Sequence, residues 1–341
     1  MIDILSLSPD ELKTEIEVLG LPAYRAKQIS EWLTRGVRDF SEMTNLPKDV
    51  RIQLKEHFTL FSPVLLREQT SKEDGTMKFL WGLQDGNSVE TVFMRYRYGN
   101  SVCISSQVGC RQGCAFCAST IGGLVRNLSA GEMLDEVLYT EKQAGEKVSN
   151  IVLMGIGEPM DNLNQVLRFL KLVSHPGGRN IGLRHITVST CGLPEGIERL
   201  AAEKLPITLS ISLHAPDDKT RSKIMPSNQG IRVLMDACRQ YIDMTGRRIS
   251  FEYSMIKNVN DSEQQALQLA DLARELGAHV NLIPLNYVEE RGLHASNPET
   301  IRNFQKRLEE KGVNVTVRRS LGGDIDASCG QLRRKFTKAR E

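Results

Sequence analysis

The chain has 341 residues, 40% of them hydrophobic and 25% charged, which is the composition of an ordinary globular protein with one large domain and a smaller appendage. No apolar run approaches the roughly 18 residues of a membrane span, and the opening Met1-Ile2-Asp3-Ile4-Leu5-Ser6 lacks the basic-then-apolar pattern of a secretory signal. Seven cysteines, an odd number with three bunched together, argue against a disulfide framework and for the cytoplasm, while a net charge of +2 says little about partners.

Residues 1–60 read as an all-helical module. Ser8-Pro9-Asp10-Glu11 is a capping box with proline at the first helical position, followed by Leu12, Ile16 and Leu19 at helical spacing. Gly20-Leu21-Pro22 stops that helix; residues 23–35 form a second with Ala26, Ile29 and Leu33 inward, and Leu46-Pro47 opens a third through Val50, Leu54 and Phe58. Arg25, Lys27, Arg35 and Arg38 sprinkle this module with positive charge, which suits either RNA contact or plain packing. Over 61–98 the period becomes strand-like: Thr76-Met77-Lys78-Phe79-Leu80-Trp81 and Val89-Glu90-Thr91-Val92-Phe93-Met94 flank the turn former Asp85-Gly86-Asn87, predicting a β hairpin extension.

From 99 to 320 strands and helices alternate. Strands are expected at 101–106 and near 150–154, 184–189, 207–213, 249–255 and 279–284, with a further one at 313–317. Ser129-Ala130-Gly131-Glu132 caps a helix to about 144, and Asn297-Pro298-Glu299 starts the last long helix. Six successive β/α units predict a parallel sheet wrapped by helices, too few for a closed eight-stranded barrel. The expected fold is therefore α/β, an open six-stranded (β/α)6 partial barrel. Residues 321–341 form a C-terminal loop and a tail with five basic residues and one acid from Gln331 onward.

The cysteines Cys110, Cys114 and Cys117 have C-x₃-C-x₂-C spacing. Three thiolates can hold a cube of four irons and leave the fourth iron open, whereas electron-transfer clusters are held by four cysteines. An open iron points to catalysis. A zinc site with a histidine or Cys103 as fourth ligand is the bland alternative, but zinc motifs come in paired units, and no second C-x₂-C or H-x₃₋₅-H is present.

Chemistry in parallel β/α folds collects at the C-terminal strand ends. Met154-Gly155-Ile156-Gly157-Glu158-Pro159 stands at one such end, with glycines that let the backbone approach a ligand and a carboxylate that can accept from an ammonium group. Ser189, the run Ser212-Leu213-His214, and Asn286 mark successive strand ends. Cys329 sits in a polar loop before a glycine, where a thiol is exposed and reactive. Cys103, on the strand leading to the cluster loop, is its natural partner, whereas Cys191 and Cys238 carry no such context.

The cysteine loop, with Phe116 just before its third cysteine, resembles the cluster motif of radical S-adenosylmethionine (SAM) enzymes. Together with the segments 103–110, 154–159, 210–216 and 324–332, it resembles over essentially the whole chain the RlmN/Cfr family of radical SAM RNA methyltransferases. The resemblance implies a [4Fe-4S] cluster on Cys110, Cys114 and Cys117, with SAM on the fourth iron. It implies SAM contacts from Gly157, Glu158, Ser189, Ser212, Leu213, His214 and Asn286.

It also implies a mechanism with two SAM molecules per turnover. One methylates Cys329; the other yields a 5′-deoxyadenosyl radical that takes a hydrogen from that methyl group, and the methylene radical adds to adenine C2. Glu90 then removes the C2 proton, and Cys103 attacks the Cys329 sulfur, releasing product and leaving a transient disulfide. The implied partners are 23S rRNA (the peptidyl-transferase adenosine), tRNA (the adenosine 3′ to the anticodon) and an electron donor such as flavodoxin or ferredoxin. No membrane is implied, and a monomer is the default. Pro159 favours C2 over the C8 chemistry of the Cfr branch, where alanine is expected, and Ile156 for the usual methionine is a volume-conserving change. A non-catalytic iron–sulfur protein that binds RNA is the alternative from another class.

Overall fold

Alternating strand and helix signals become a single mixed sheet of ten strands in the computed structural model, which describes residues 1–319, 321–326, 328 and 330–338. The strands are β1 (Val64–Thr70), β2 (Met77–Gly82), β3 (Ser88–Tyr96), β4 (Gly99–Cys103), β5 (Asn150–Leu153), β6 (Ile186–Thr190), β7 (Thr208–Ser212), β8 (Ser250–Met255), β9 (His279–Pro284) and β10 (Val315–Val317). They lie in the order β10-β9-β8-β7-β6-β5-β4-β3-β2-β1. From β4 to β10 every pair is parallel, and from β1 to β4 every pair is antiparallel.

The six expected barrel strands are β4 to β9, and β10 adds a short seventh at the edge. The β extension is continuous with the barrel: β3 pairs with β4 and sets Val92 opposite Cys103. The first barrel strand stops at Cys103 rather than 106, because the loop after β5 crosses it there. Gly155 N–H donates to Ile104 O, and a Cβ on Gly155 would stand 2.5 Å from that oxygen. Residues Gln107–Gly109 instead pair with Leu124–Asn127 as a small separate ribbon that carries the cysteine loop.

Helices Ala130–Ala144, Leu163–Ser174, Pro194–Ala202, Ile231–Thr245, Glu263–Leu276 and Pro298–Glu310 cover the outer face of the sheet. Val102, Ile151, Val188, Ile211, Phe251 and Val280 belong to one fully buried core with Phe169, Leu170, Leu234 and Leu269 from the helices. None of the helices is long and apolar enough to cross a membrane, among the described residues.

The N-terminal module has its own core of Leu12, Ile16, Ile29, Leu33, Val50, Leu54 and Phe58. It is not purely helical. Ile2–Asp3 pairs in parallel with Phe58–Thr59 and closes its two ends together. It docks on helix Ala130–Ala144, where Ser129 Oγ donates to Asp3 (3.2 Å) and Gly131 N–H to Ser6 Oγ (2.9 Å). A Cβ on Gly131 would lie 2.4 Å from the Asp3 carboxylate, so a larger residue there would push the Asp3 and Ser6 side chains aside.

After β10 the chain runs as a strap to the opposite edge of the open barrel. Gly322 N–H donates to Asp74, Lys72 N–H to Asp324 (both 2.8 Å), and Gln69 and Asp326 exchange two hydrogen bonds. The strap ends on a buried ion pair, Lys78 Nζ to Glu90 Oε2 at 2.8 Å. Lys78 also donates to Ser328 O, and Glu90 accepts from the backbone N–H groups of Gly330 (2.8 Å) and Arg333, at the start of helix Gln331–Lys338. A carboxylate there also meets the positive end of the helix dipole.

Because Glu90 is buried, Lys78→Met should strand its charge and destabilise the protein by about 3–5 kcal/mol, whereas Lys78→Met with Glu90→Gln should recover part of the loss. Urea unfolding of the three proteins measures this, and an unchanged midpoint for Lys78→Met would refute the pair's role.

Candidate active site

Cys110, Cys114 and Cys117 line one cavity of about 250 Å³ at the C-terminal ends of the strands. Their loop is held from outside. Arg111 forks onto Asp161 (2.9 and 2.7 Å), and Gln112 donates to the same carboxylate (2.7 Å). Ala115 N–H donates to Ile224 O (2.8 Å), and Arg291 reaches Cys117 O (3.3 Å) and Thr120 Oγ1 (2.6 Å). Gly109 has φ +78°, and a Cβ there would fall 2.0 Å from Gly123 O, so the two ends of the loop close only around glycine.

Burial pushes the Cys110 thiol up to about 12 and Cys114 higher still, with neighbouring cysteines adding to both. Buried thiols of this kind are neutral until a cationic metal core draws off their protons, so the donor set fits an iron–sulfur group. Among the described residues no three His, Cys, Asp or Glu side chains converge tightly on a single point.

Of the expected SAM contacts, Gly157, Glu158, Ser189, Ser212, His214 and Asn286 line this cavity. The side chain of Leu213 does not; it is wholly buried in the main core. The backbone of Leu213 joins neighbouring loops, its N–H donating to Glu252 O and its carbonyl accepting from Arg221 Nε (3.1 Å). Gly157 (φ +112°) is glycine for a reason the sequence did not suggest: a Cβ would lie 2.6 Å from that of Gln107. Glu158 is buried and its carboxylate accepts from Met160 N–H (2.9 Å) and Cys191 N–H (2.7 Å); burial raises its pKa. Ser189 and Ser212 face each other, their hydroxyls 3.5 Å apart.

Sequence reasoning missed Glu252, Ser254, Thr190, Cys191 and Arg318, which also line the cavity. The signal for the first two was present: in Ser250-Phe251-Glu252-Tyr253-Ser254-Met255 the polar residues alternate with large apolar ones, so they point into the barrel. Glu252 accepts from Ser210 Oγ (2.7 Å) and Asn281 Nδ2 (2.8 Å), and burial raises its pKa. Cys191 is distant in sequence from the cysteine loop yet packs with Cys114 in one buried group.

Cys103 ends β4 and packs with Val92, Met94 and Met154, and Met154 in turn lines the cavity. Cys329 lies outside the described residues. Its neighbour Ser328 lines the cavity, and a Cβ on Gly330 would lie 2.7 Å from Ser119 N, which packs the C-terminal loop against the cysteine loop. No disulfide joins two described cysteines, and the transient one expected between Cys103 and Cys329 involves a residue outside that set. Glu90 stands beside this loop, with its carboxylate engaged by Lys78, Gly330 and Arg333.

His214 combines strain with burial. Its φ is +56°, its Nδ1 accepts from Ser254 N–H (3.0 Å), its carbonyl accepts from Asn260 Nδ2 (2.7 Å), and its ring meets the Phe116 ring edge-on at 4.9 Å. Burial, helped by the Arg221 charge, lowers its pKa to about 3, so it is neutral with its proton on Nε2. Its folded pKa lies below the unfolded 6.5, so its contribution is complete above pH 6.5 and is lost as pH falls toward 3. His214→Asn, which tolerates positive φ, should therefore lose about 2 kcal/mol less stability than the native chain between pH 7 and pH 5. Urea titrations at the two pH values check this, and equal losses would contradict it.

A model of the radical SAM superfamily matches residues 104–270, and one of the ribosomal RNA large subunit methyltransferase N-terminal domain matches residues 2–60. The chain is 52% identical over 338 residues to the probable dual-specificity RNA methyltransferase RlmN of Desulforamulus reducens, covering 98% of this chain and 97% of that one. Its counterpart in Halalkalibacterium halodurans is 51% identical over 341 residues, covering 98% and 94%. The crystal structure of a radical SAM methyltransferase from Sphaerobacter thermophilus superposes with a TM-score of 0.92 at 42% identity, covering 97% of this chain and 99% of that one. With its cysteine loop, partial barrel and N-terminal module thus matched end to end, the chain belongs to the RlmN family of dual-specificity RNA methyltransferases, within the radical SAM superfamily.

Proposed function

We propose that this protein methylates C2 of adenosine, both at the peptidyl-transferase adenosine of 23S rRNA and at the adenosine 3′ to the anticodon of tRNA. The names borne by its relatives support the substrate class. The observation that carries the mechanism is the convergence on one cavity of Cys110, Cys114, Cys117 and Ser328, the neighbour of Cys329, beside the strand that ends in Cys103. Adenine C2 is electrophilic and has no usable lone pair, so a carbon radical suits it and a direct polar transfer does not.

Cys110, Cys114 and Cys117 would hold a [4Fe-4S] cluster whose open iron takes SAM, and together these supply one-electron cleavage of SAM to the 5′-deoxyadenosyl radical. Gly157, Glu158, Ser189, Ser212 and His214, with Asn286 at the rim, would shape the SAM site, and the backbone of Leu213 would keep two of its loops in register. Cys329 carries the methyl group to be activated. Cys103, as thiolate, then attacks the Cys329 sulfur; the S–S bond forms as the bond from that sulfur to the transferred carbon breaks. Glu90 serves as proton acceptor from C2, its carboxylate lying against Gly330 at the end of the strap. The reading includes a cytoplasmic location and an electron donor such as flavodoxin or ferredoxin.

Nucleoside mass spectrometry on a 23S rRNA fragment, after anaerobic incubation with the reconstituted protein, SAM and reductant, tests this directly. The C2 isomer of methyladenosine is expected; the C8 isomer would refute the regiochemistry, and an intact cluster with no methyl transfer would refute the activity. Cys329→Ala should abolish methylation with the cluster retained, and Cys103→Ala and Glu90→Gln should accumulate a protein–RNA crosslink on denaturing gels. Normal turnover in these variants would overturn the assigned roles.

A further inference from the structure

The end of β3 and the turn into β4 carry two aromatic residues, Tyr96 and Tyr98, that the proposed chemistry does not use. Val92, Met94 and Tyr96 project from the same face of β3 and pack with Cys103, Met154 and Leu321. This face is therefore continuous from the cavity wall to the end of the hairpin. There the rings of Tyr96 and Tyr98 are stacked, with centroids 4.9 Å apart and planes 9° from parallel. Tyr98 is 73% exposed.

Arg318 follows β10 and lines the catalytic cavity, and it is near enough for its charge to act on both phenols; Arg319 acts on that of Tyr96. Arg95, Arg111, Arg126 and Arg334 are each bridged to carboxylates, but neither Arg318 nor Arg319 is ion-paired with a described residue. The other exposed ring at the cavity rim, Tyr287, is stacked on His294 and followed by Glu289 and Glu290, which would repel phosphate. Arg318, whose charge also acts on the Glu252 carboxylate, and Arg319, which has no ion-pair partner among the described residues, stand beside an exposed ring stack, a combination that suits an unstacked base and its phosphate.

We propose that the Tyr96–Tyr98 stack, with Arg318 and Arg319, is the RNA-docking lip of the catalytic cavity, holding a nucleotide that flanks the target adenosine. The base lies on the outer face of Tyr98 and the phosphate meets the arginines. This inference rests on the RNA methyltransferase reading above.

The test is fluorescence anisotropy with a labelled RNA hairpin that presents an unpaired adenosine, using the full chain with its cluster reconstituted. Tyr98→Ala should weaken binding about tenfold, while Tyr98→Phe, which keeps the ring, should stay within about twofold of native. Arg319→Gln should weaken binding and reduce the slope of log affinity against log salt by about 0.7. Cleavage of SAM to 5′-deoxyadenosine without RNA should be unchanged in all three, which separates docking from chemistry. Native affinity in both Tyr98→Ala and Arg319→Gln would overturn the proposal while leaving the enzymatic reading intact. A native chain that binds no RNA would overturn both. If Tyr98→Ala changed only the oligomeric state in light scattering, the patch would be a self-association surface and the proposal wrong.

Discussion

The close crossing of two chain segments just above β4 and β5 positions everything else in the site. Gly155 N–H donates to Ile104 O, both Ser106 and Gln107 donate to Ile156 O, and Gln107 Oε1 accepts from Glu158 N–H (2.8 Å). Gly155 and Gly157 lie so near the other segment that any side chain on them would collide with it. One segment leads into the cysteine loop and the other carries Glu158, so this one crossing fixes both parts of the proposed cofactor site relative to each other. Asn162 locks the crossing from behind by donating to Ser106 O and Leu128 O (both 2.8 Å).

From that crossing a belt of buried ties runs around the rim. Glu158 reaches forward to Cys191 N–H after β6. Arg221, 1% exposed, donates to the carbonyls of Cys191 and Leu213 and to Asn228, joining the loops after β6 and β7. Asn260 donates to His214 O (2.7 Å) and Ser254 O (2.6 Å), extending the belt to β8. These loops hold the polar groups of the cavity, and a buried carbonyl left without a donor costs about 1–3 kcal/mol, so each tie is enforced by the expense of breaking it. The opposite side of the barrel is closed by different means. There the strap is fastened by the Lys78–Glu90 pair, whose desolvation offsets much of its Coulomb attraction, so its main product is position rather than stability.

How legible this was in the sequence depended on whether the relevant contact was local. The capping boxes at Ser8 and Ser129 and the strand–helix alternation are short-range patterns, and they gave the module, the hairpin and the six parallel strands. Cysteine spacing is local too, and it located the cavity. The early end of β4 was not legible, because a loop fifty residues later in the chain causes it. The same holds for Gly157, whose neighbour is protein rather than ligand, and for Leu213, which contributes backbone rather than side chain. Cys191 was set aside for lack of local context, and only folding brings it beside Cys114. Glu252 is the instructive miss, since period-two alternation along β8 already marked it as inward-facing.

The polar groups around the cavity are arranged at a cost in stability. Glu158 and Glu252 are buried enough that their pKa values rise, Arg221 is buried without a carboxylate partner among the described residues, and His214 keeps a left-handed backbone that a side chain rarely adopts. A protein selected for stability alone would replace such groups with apolar ones of similar size. Their concentration at one end of the barrel, next to the buried, neutral thiols of Cys110 and Cys114, suits a guest that carries both signs of charge. A thiolate-bound iron–sulfur core with SAM, which brings a sulfonium, an ammonium and a carboxylate, has that character. The carboxylates of Glu158 and Glu252 line the same space as the thiols, while the Arg221 charge lies behind Cys114 and Cys191. Folding has therefore already met the cost of burying these polar groups, while deprotonation of the Cys110 and Cys114 thiols is left to the cofactor.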